Sequence, residues 1–285
     1  MSAVRPARRF ENYSRLRFLW APLVVLIVFL TLFETRPIRP AHADSSVTVG
    51  CTGGVGDIAV LASAVTNVTV GSSGTITLGT GCTYTFTSTT PGPLTVAGNV
   101  TIVGNGATIT GAANSAFKVN SGASLNLGGV MLTGNANPTG GGGIFSRGVL
   151  PIQDSTVSNN QVTYTAGNQP LGGAILATGP VTITRSVFAG NTAGAQMTLG
   201  GAIYTISTVA VSDSTFTGNH VSGSAGAIYL SGTGASTISN STFDNNYVTM
   251  DNGGAAYGGA VLNQNGPLPV TNSTFSGIRA QGGAA

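Results

Sequence analysis

A glycine pair followed by an apolar residue returns five times along the second half of this chain. It reads Gly142-Gly143-Ile144, Gly172-Gly173-Ala174-Ile175, Gly200-Gly201-Ala202-Ile203, Ala225-Gly226-Ala227-Ile228 and Gly258-Gly259-Ala260-Val261, with alanine in place of the first glycine in the fourth copy. The apolar members stand at 144, 175, 203, 228 and 261, so the steps are 31, 28, 25 and 33 residues. Self-similarity at this period is the signature of a solenoid, in which one unit cannot bury its own apolar face and stacked units can.

A second landmark keeps pace with the first. It reads Ser155-Thr156-Val157, Ser186-Val187-Phe188, Ser214-Thr215-Phe216, Ser241-Thr242-Phe243 and Ser273-Thr274-Phe275. Three residues later come Asn160, Asn191, Asn219 and Asn246, and in the fifth copy Ile278. Short strands alternating with period two lie between the landmarks, at 181–183, 209–211, 236–238 and 268–270, and no unit carries a helical stripe. Val209 and Val211 then face inward, with the residue between them outward. The pattern predicts an all-β parallel β-helix. Phe188, Phe216, Phe243 and Phe275 form one internal column above Val157, and Ile175, Ile203, Ile228 and Val261 form a second. The recurring asparagines read as an internal ladder of amide hydrogen bonds. The variable segments 163–171 and 249–257 fall just before the glycine pair, where loops leave the stack undisturbed.

The region before Gly142 reads as the same architecture in looser form. Alternating segments at 75–78, 84–86, 94–96, 100–102, 107–109, 117–119 and 125–127 are separated by glycine or asparagine turns. Residues 57–65, DIAVLASAV, read either as a short helix capping the first coil, with Asp57 as its N-cap, or as another strand. At the other end, the apolar core after Phe275 needs a cover. Three readings stand open: residues 278–285 fold across it, another chain packs there, or the product is shorter than its ancestor.

Charge sharpens the picture. Only 7% of the 285 residues are charged, against a usual share near 25%. The net charge of +3 misleads, because seven of the eleven basic residues precede Asp44. After Ala43, Lys118, Arg147, Arg185 and Arg279 face six aspartates, so the remainder carries 4 − 6 = −2. That excludes the basic footprint of a nucleic-acid binder. The early arginines precede the apolar run 18–33, FLWAPLVVLIVFLTLF, and Ala41-His42-Ala43 offers a cleavage site. Residues 1–43 are therefore a signal peptide or an uncleaved N-terminal anchor, and 44–285 form the β-helix domain. Within it, 44–140 hold the cap and irregular coils and 141–285 the regular repeats. Either reading exports the domain to the cell surface or medium, with membrane contact only through 18–33 if the segment is kept. The two cysteines, Cys51 and Cys82, are expected to form one disulfide in that oxidising setting. No metal or cofactor is expected, since two thiolates do not complete a zinc shell.

The glycine-pair landmark followed by STFxxN resembles the parallel β-helix repeat of bacterial surface proteins, including the polymorphic outer-membrane and adhesin-like groups. The opening block is similar too: Cys51, the helix candidate 57–65, Thr75-Ile76-Thr77-Leu78 and Cys82-Thr83-Tyr84-Thr85-Phe86. The resemblance covers about residues 47–280. It implies a right-handed, pectin-lyase-like fold and leaves activity open, because that fold carries enzymes, adhesins and scaffolds alike. The chain departs from the autotransporter type in that no barrel-forming segment is expected after residue 280.

The chain carries few residues suited to catalysis. The repeat register places Asp154, Arg185 and Asp213 in one column on successive coils, the only charged cluster it predicts. Asp154 and Asp213 would lie roughly 10 Å apart, at the edge of what a paired-carboxylate hydrolase uses. An ion pair on an exposed turn is the competing reading. His220 reads as a turn residue, no G-x-S-x-G elbow is present, and the glycines at 140–143 precede no lysine. Tyr204 and Tyr229 occupy matching places after the inward isoleucines and are expected to stack outward as an exposed aromatic pair. That pair is a candidate platform for a carbohydrate or surface-protein ligand; the alternative is a pair that stiffens the sheet. Threonine columns also raise ice binding, which needs a flat regular grid and which unit lengths of 25 to 33 argue against. The reading is thus an exported structural or adhesin-like β-helix without enzymatic activity. The alternative is a polysaccharide-active lyase or glycoside hydrolase on the same fold.

Overall fold

The computed structural model describes residues 45–70, 73–87, 92–163, 170–250 and 254–282, within the unit that runs from His42 to Ala285. The segment 1–43 and most of the first variable loop, Tyr164 included, lie outside the described residues.

The chain is an all-β, mostly parallel solenoid of about seven turns. Seven strands from Leu94–Val96 to Val261–Asn263 stack in order as one parallel sheet. Six more, from Ala136–Asn137 to Arg279–Gln281, form a second. The third and largest sheet takes two strands from each regular coil, such as Val209–Ser212 and Thr215–Thr217. In the first coils those two strands are continuous, as Asn99–Thr110 and Ser124–Thr133. Among the described strands only the pair Cys51–Thr52 and Val55–Gly56 is antiparallel. The looser region is therefore built on the same frame as the regular repeats.

The alternation fixes what is inside. Phe188, Phe216 and Phe243 are fully buried, and their rings stack at 4.8 Å between centroids with tilts of 10° and 7°. Phe275 continues the column at 4.8 Å and 5°. Val157 pairs with Phe188 from the coil below, and Leu132 with Val157. The second column, Ile144 through Ile175, Ile203 and Ile228 to Val261, is in register throughout.

Polar ladders seal the corners. Asn135, Asn160, Asn191, Asn219 and Asn246 are wholly buried. Each of the first four donates its Nδ2 to Oδ1 of the next, at 2.9 to 3.1 Å, and its backbone amide to the same oxygen, at 3.0 to 3.2 Å. A second ladder was not anticipated. The backbone amides of Ser155, Ser186, Ser214 and Ser241 donate to the serine Oγ one coil on. Each of these hydroxyls donates back to the carbonyl two residues earlier, as Ser214 Oγ does to Ser212 at 2.7 Å. The serine was visible in every STF landmark. Its role was not, because strand alternation alone does not show a hydroxyl turning inward at a corner.

Backbone conformation explains the residue types at the turns. The residue before each ladder serine, Asp154, Arg185, Asp213, Asn240 or Asn272, sits in the left-handed region with φ between 46° and 50°. Asp and Asn tolerate that region better than most side chains. At the glycine turn the residue three before the inward apolar one has positive φ: Gly141 (63°), Gly172 (65°), Gly200 (73°), Ala225 (67°) and Gly258 (61°). The glycine that follows it is needed for room: a Cβ on Gly201 would lie 2.1 Å from the Gly226 carbonyl oxygen of the next coil.

The first coil is closed by a helix, which decides between the two readings of its segment. It runs Ile58–Val70, five residues past the expected end. Asp57 caps it, its Oδ1 accepting from the Ala59 amide at 2.7 Å and the Val60 amide at 3.3 Å. Ile58, Leu61, Ala64, Val65 and Val68 turn inward over the coil. Cys51 and Cys82 are joined by the expected disulfide, with Cα atoms 5.9 Å apart. Beside it the buried Tyr84 hydroxyl donates to the Val49 carbonyl, and burial pushes that phenol above its ordinary pKa.

The far end differs from one expectation. Arg279–Gln281 does not cross the core but pairs with Tyr247–Thr249 as one more parallel strand. Val270 and Phe275 stay 44% and 43% exposed, beside an open concavity of about 560 Å³ that Val261, Leu268 and Ile278 also line. Among the described residues no helix is long and apolar enough to cross a membrane.

Candidate functional site

The three charged residues singled out from the repeat are Asp154, Arg185 and Asp213. They share the left-handed corner column described above. Arg185 makes a two-pronged contact with Asp154, Nε to Oδ1 at 2.7 Å and a terminal nitrogen to Oδ2 at 2.9 Å. Both residues are exposed. These hydrogen bonds, with the guanidinium charge, hold the Asp154 carboxyl below the usual carboxylate range. Asp213 acts on Arg185 only through space, raising its pKa slightly further. The geometry is that of a surface ion pair: both oxygens of Asp154 are occupied by the arginine. Among the described residues no group of three or more His, Cys, Asp or Glu could hold a metal ion.

His220 lies within the strand His220–Ser224 rather than at a turn tip. Its ring stacks on Tyr247 at 4.3 Å, and its Nε2 is 2.8 Å from Thr249 Oγ1.

Tyr204 and Tyr229 pair in register and stack at 5.5 Å with a 20° tilt. The expectation of an exposed pair is corrected at Tyr229, which is only 7% exposed. Its hydroxyl bonds to Gln264 Oε1 at 3.2 Å, and burial raises its pKa. The physical reason is the column itself. The seven-stranded sheet carries Lys118, Phe145, Leu176, Tyr204, Tyr229 and Leu262 outward in unbroken register. Leu176 pairs in register with Tyr204 on one side of the stack, and Leu262 with Tyr229 on the other. Around this column Arg147 lies over Phe145, 5.1 Å from its centroid. Gly140 and Gly258, the latter directly after the variable segment 249–257, border it, since a Cβ on Gly140 would sit 2.7 Å from Leu176 and one on Gly258 2.7 Å from Leu262. Sequence reading isolated two members of this ridge; the register between coils supplies the rest.

Residues 213–231 match the Chlamydia polymorphic membrane protein repeat. No curated protein and no solved structure matches the chain. The matched segment starts at the left-handed corner of Asp213, passes the Phe216 strand and the ladder residue Asn219, and crosses the glycine turn into Ile228–Leu230. It is thus most of one coil, and it contains a corner, a ladder residue and a glycine turn. The likeness is to the coil as a building unit.

Proposed function

We propose that this chain is an exported, cell-surface or secreted β-helix of adhesin-like type, right-handed and pectin-lyase-like, that acts as a rigid scaffold without enzymatic activity. The observation that carries the reading is the outward ridge on the seven-stranded sheet. A continuous strip of aromatic, aliphatic and cationic side chains, bordered by loops of changing length, suits recognition of a carbohydrate or a surface protein. The likeness of one coil to a polymorphic membrane protein repeat supports the same reading. Asp154 speaks against the polysaccharide-active alternative, because a paired-carboxylate mechanism needs oxygens free for proton transfer and Arg185 takes both.

The test is binding of the full chain to a panel of insoluble glycans and immobilised cell-surface proteins. Replacing Tyr204, the half-buried member of the pair, with alanine is expected to weaken whichever interaction the parent shows. A parent that binds nothing on either panel would refute the adhesin reading. Product release from acidic polysaccharides that Asp154→Asn abolishes would establish the enzyme instead.

A further inference from the structure

The unequal unit lengths do not touch one face of the solenoid. From the left-handed corner to the ladder position every unit has the same span: 154–160, 185–191, 213–219, 240–246 and 272–278. The insertions fall in loops elsewhere. The strands within these spans pair one to one, and they continue without a register shift through Thr108 down to Thr83. Each strand turns its middle residue inward, buried in every rung but that of Phe275 at the open end, and presents the two flanking ones. Thr83 and Thr85, Thr108 and Thr110, and Thr215 and Thr217 are complete threonine pairs. Thr133, Thr156, Thr242 and Thr274 fill one of the two places in their own rungs. Val187 keeps the threonine shape without the hydroxyl.

A separate observation bears on flatness. Neighbouring strands in open sheets twist by roughly 20–25°. Here the phenylalanine rings directly beneath the face tilt by only 10°, 7° and 5° between coils. Their 4.8 Å centroid spacing sets the repeat along the axis, and two residues along a strand give roughly 6.6–6.8 Å across it. The result is a two-column lattice of hydroxyls and methyls, flat over the four rungs above the phenylalanines and interrupted lower down by the exposed Met131 side chain between Thr108 and Thr156. Its single charge, Asp244, is engaged by Ser276 Oγ and Asn245 Nδ2, each at 2.7 Å.

We propose that this threonine face binds the surface of ice. Both repeats of the lattice lie close to oxygen repeats on faces of hexagonal ice, so the hydroxyls can hold first-layer water in crystal register. The methyls order the water between them. A charged face would orient water around ions instead, and a twisted face would lose register after a few rungs. The expectation that variable units exclude a regular grid fails for a physical reason: the variation sits in loops on other faces.

The experiment compares the full chain with three variants for inhibition of ice recrystallisation and for uptake of labelled protein into slowly grown ice. Melting temperature serves as the folding control. Thr215→Tyr places a bulky ring in the lattice and is expected to lower potency by an order of magnitude. Gln161→Tyr, outward on the six-stranded sheet, should match the parent. Asp244→Thr completes a rung, conserves the fold and should raise potency, which keeps the test decisive if Thr215→Tyr fails to fold. A parent excluded from ice like its heat-denatured form would overturn the proposal, as would binding to crystalline glycans without ice uptake. Unchanged potency in Asp244→Thr would overturn the assignment to this face. The ridge around Tyr204 lies on another sheet, so the ice and glycan tests succeed or fail independently.

Discussion

The backbone amide and the side-chain Nδ2 of Asn219 both donate to Oδ1 of Asn246, at 3.0 and 2.9 Å. The same side chain reaches back to the Phe188 carbonyl at 2.9 Å. One buried amide therefore ties three successive coils. Its own Oδ1 accepts both donors of Asn191. Asn219→Ala would strip those donors of their acceptor inside the core, at roughly 1–3 kcal/mol for each group left unsatisfied. The expected loss is about 3 kcal/mol, read as a lowered denaturant midpoint. A loss within the range of a surface substitution would contradict the ladder.

The glycine turn supplies a pair of opposite effects. Ala225 holds φ at 67°, where the corresponding residue in the copy below is Gly200. Relieving that strain with Ala225→Gly should stabilise the chain by about 1 kcal/mol, or about 2–4 °C in melting temperature for a domain of this size. Gly201→Ala should do the reverse, by about 3 kcal/mol, because its Cβ would meet the Gly226 carbonyl oxygen at 2.1 Å. Calorimetry on both variants checks the two signs together.

These two positions also show what the sequence could reveal. The period of the glycine pair gave the solenoid, and strand alternation gave the inward columns of phenylalanine and isoleucine, because burial follows directly from period two. The departure at Ala225 was visible, but its meaning depends on a φ value. The serine ladder was hidden for a related reason, since a hydroxyl turning inward at a left-handed corner breaks the alternation used to find it. At the candidate site, the stacking of Tyr204 on Tyr229 followed from matching places in adjacent units. The burial of Tyr229 did not, because Leu262 and Gln264 reach it from the next coil and only the register brings them together.

The Asp154–Arg185 pair makes a pH prediction of defined sign. The Asp154 carboxyl is held below its ordinary pKa, so its contribution to stability is present above the unfolded carboxylate pKa. It is lost as pH falls through the lower folded value. The parent should exceed Asp154→Asn in denaturant midpoint at neutral pH, and the gap should close in the acid range. Because both partners are exposed, added salt should shrink the gap as well. A gap that widened on acidification would reverse the assignment.

The disulfide ties the hairpin after the first strand to the start of the next coil, across 31 residues of sequence. Replacing both cysteines with serine should cost about 3 kcal/mol through the loosened unfolded chain. Unfolding curves of the parent with and without reductant should differ by a similar amount, whereas the double-serine variant should be indifferent to reductant.

The central claim is the register: Phe216 inward between two rings, Thr215 outward beside it. Denaturant midpoints of Phe216→Ala and Thr215→Ala test it most directly. Phe216 is fully buried with rings stacked on both faces at 4.8 Å, so its truncation should cost about 3–5 kcal/mol. Thr215→Ala should stay within about 0.5 kcal/mol of the parent. A large gap between the two midpoints, in that order, is the predicted result; equal midpoints would contradict the inward and outward assignment and every column built on it.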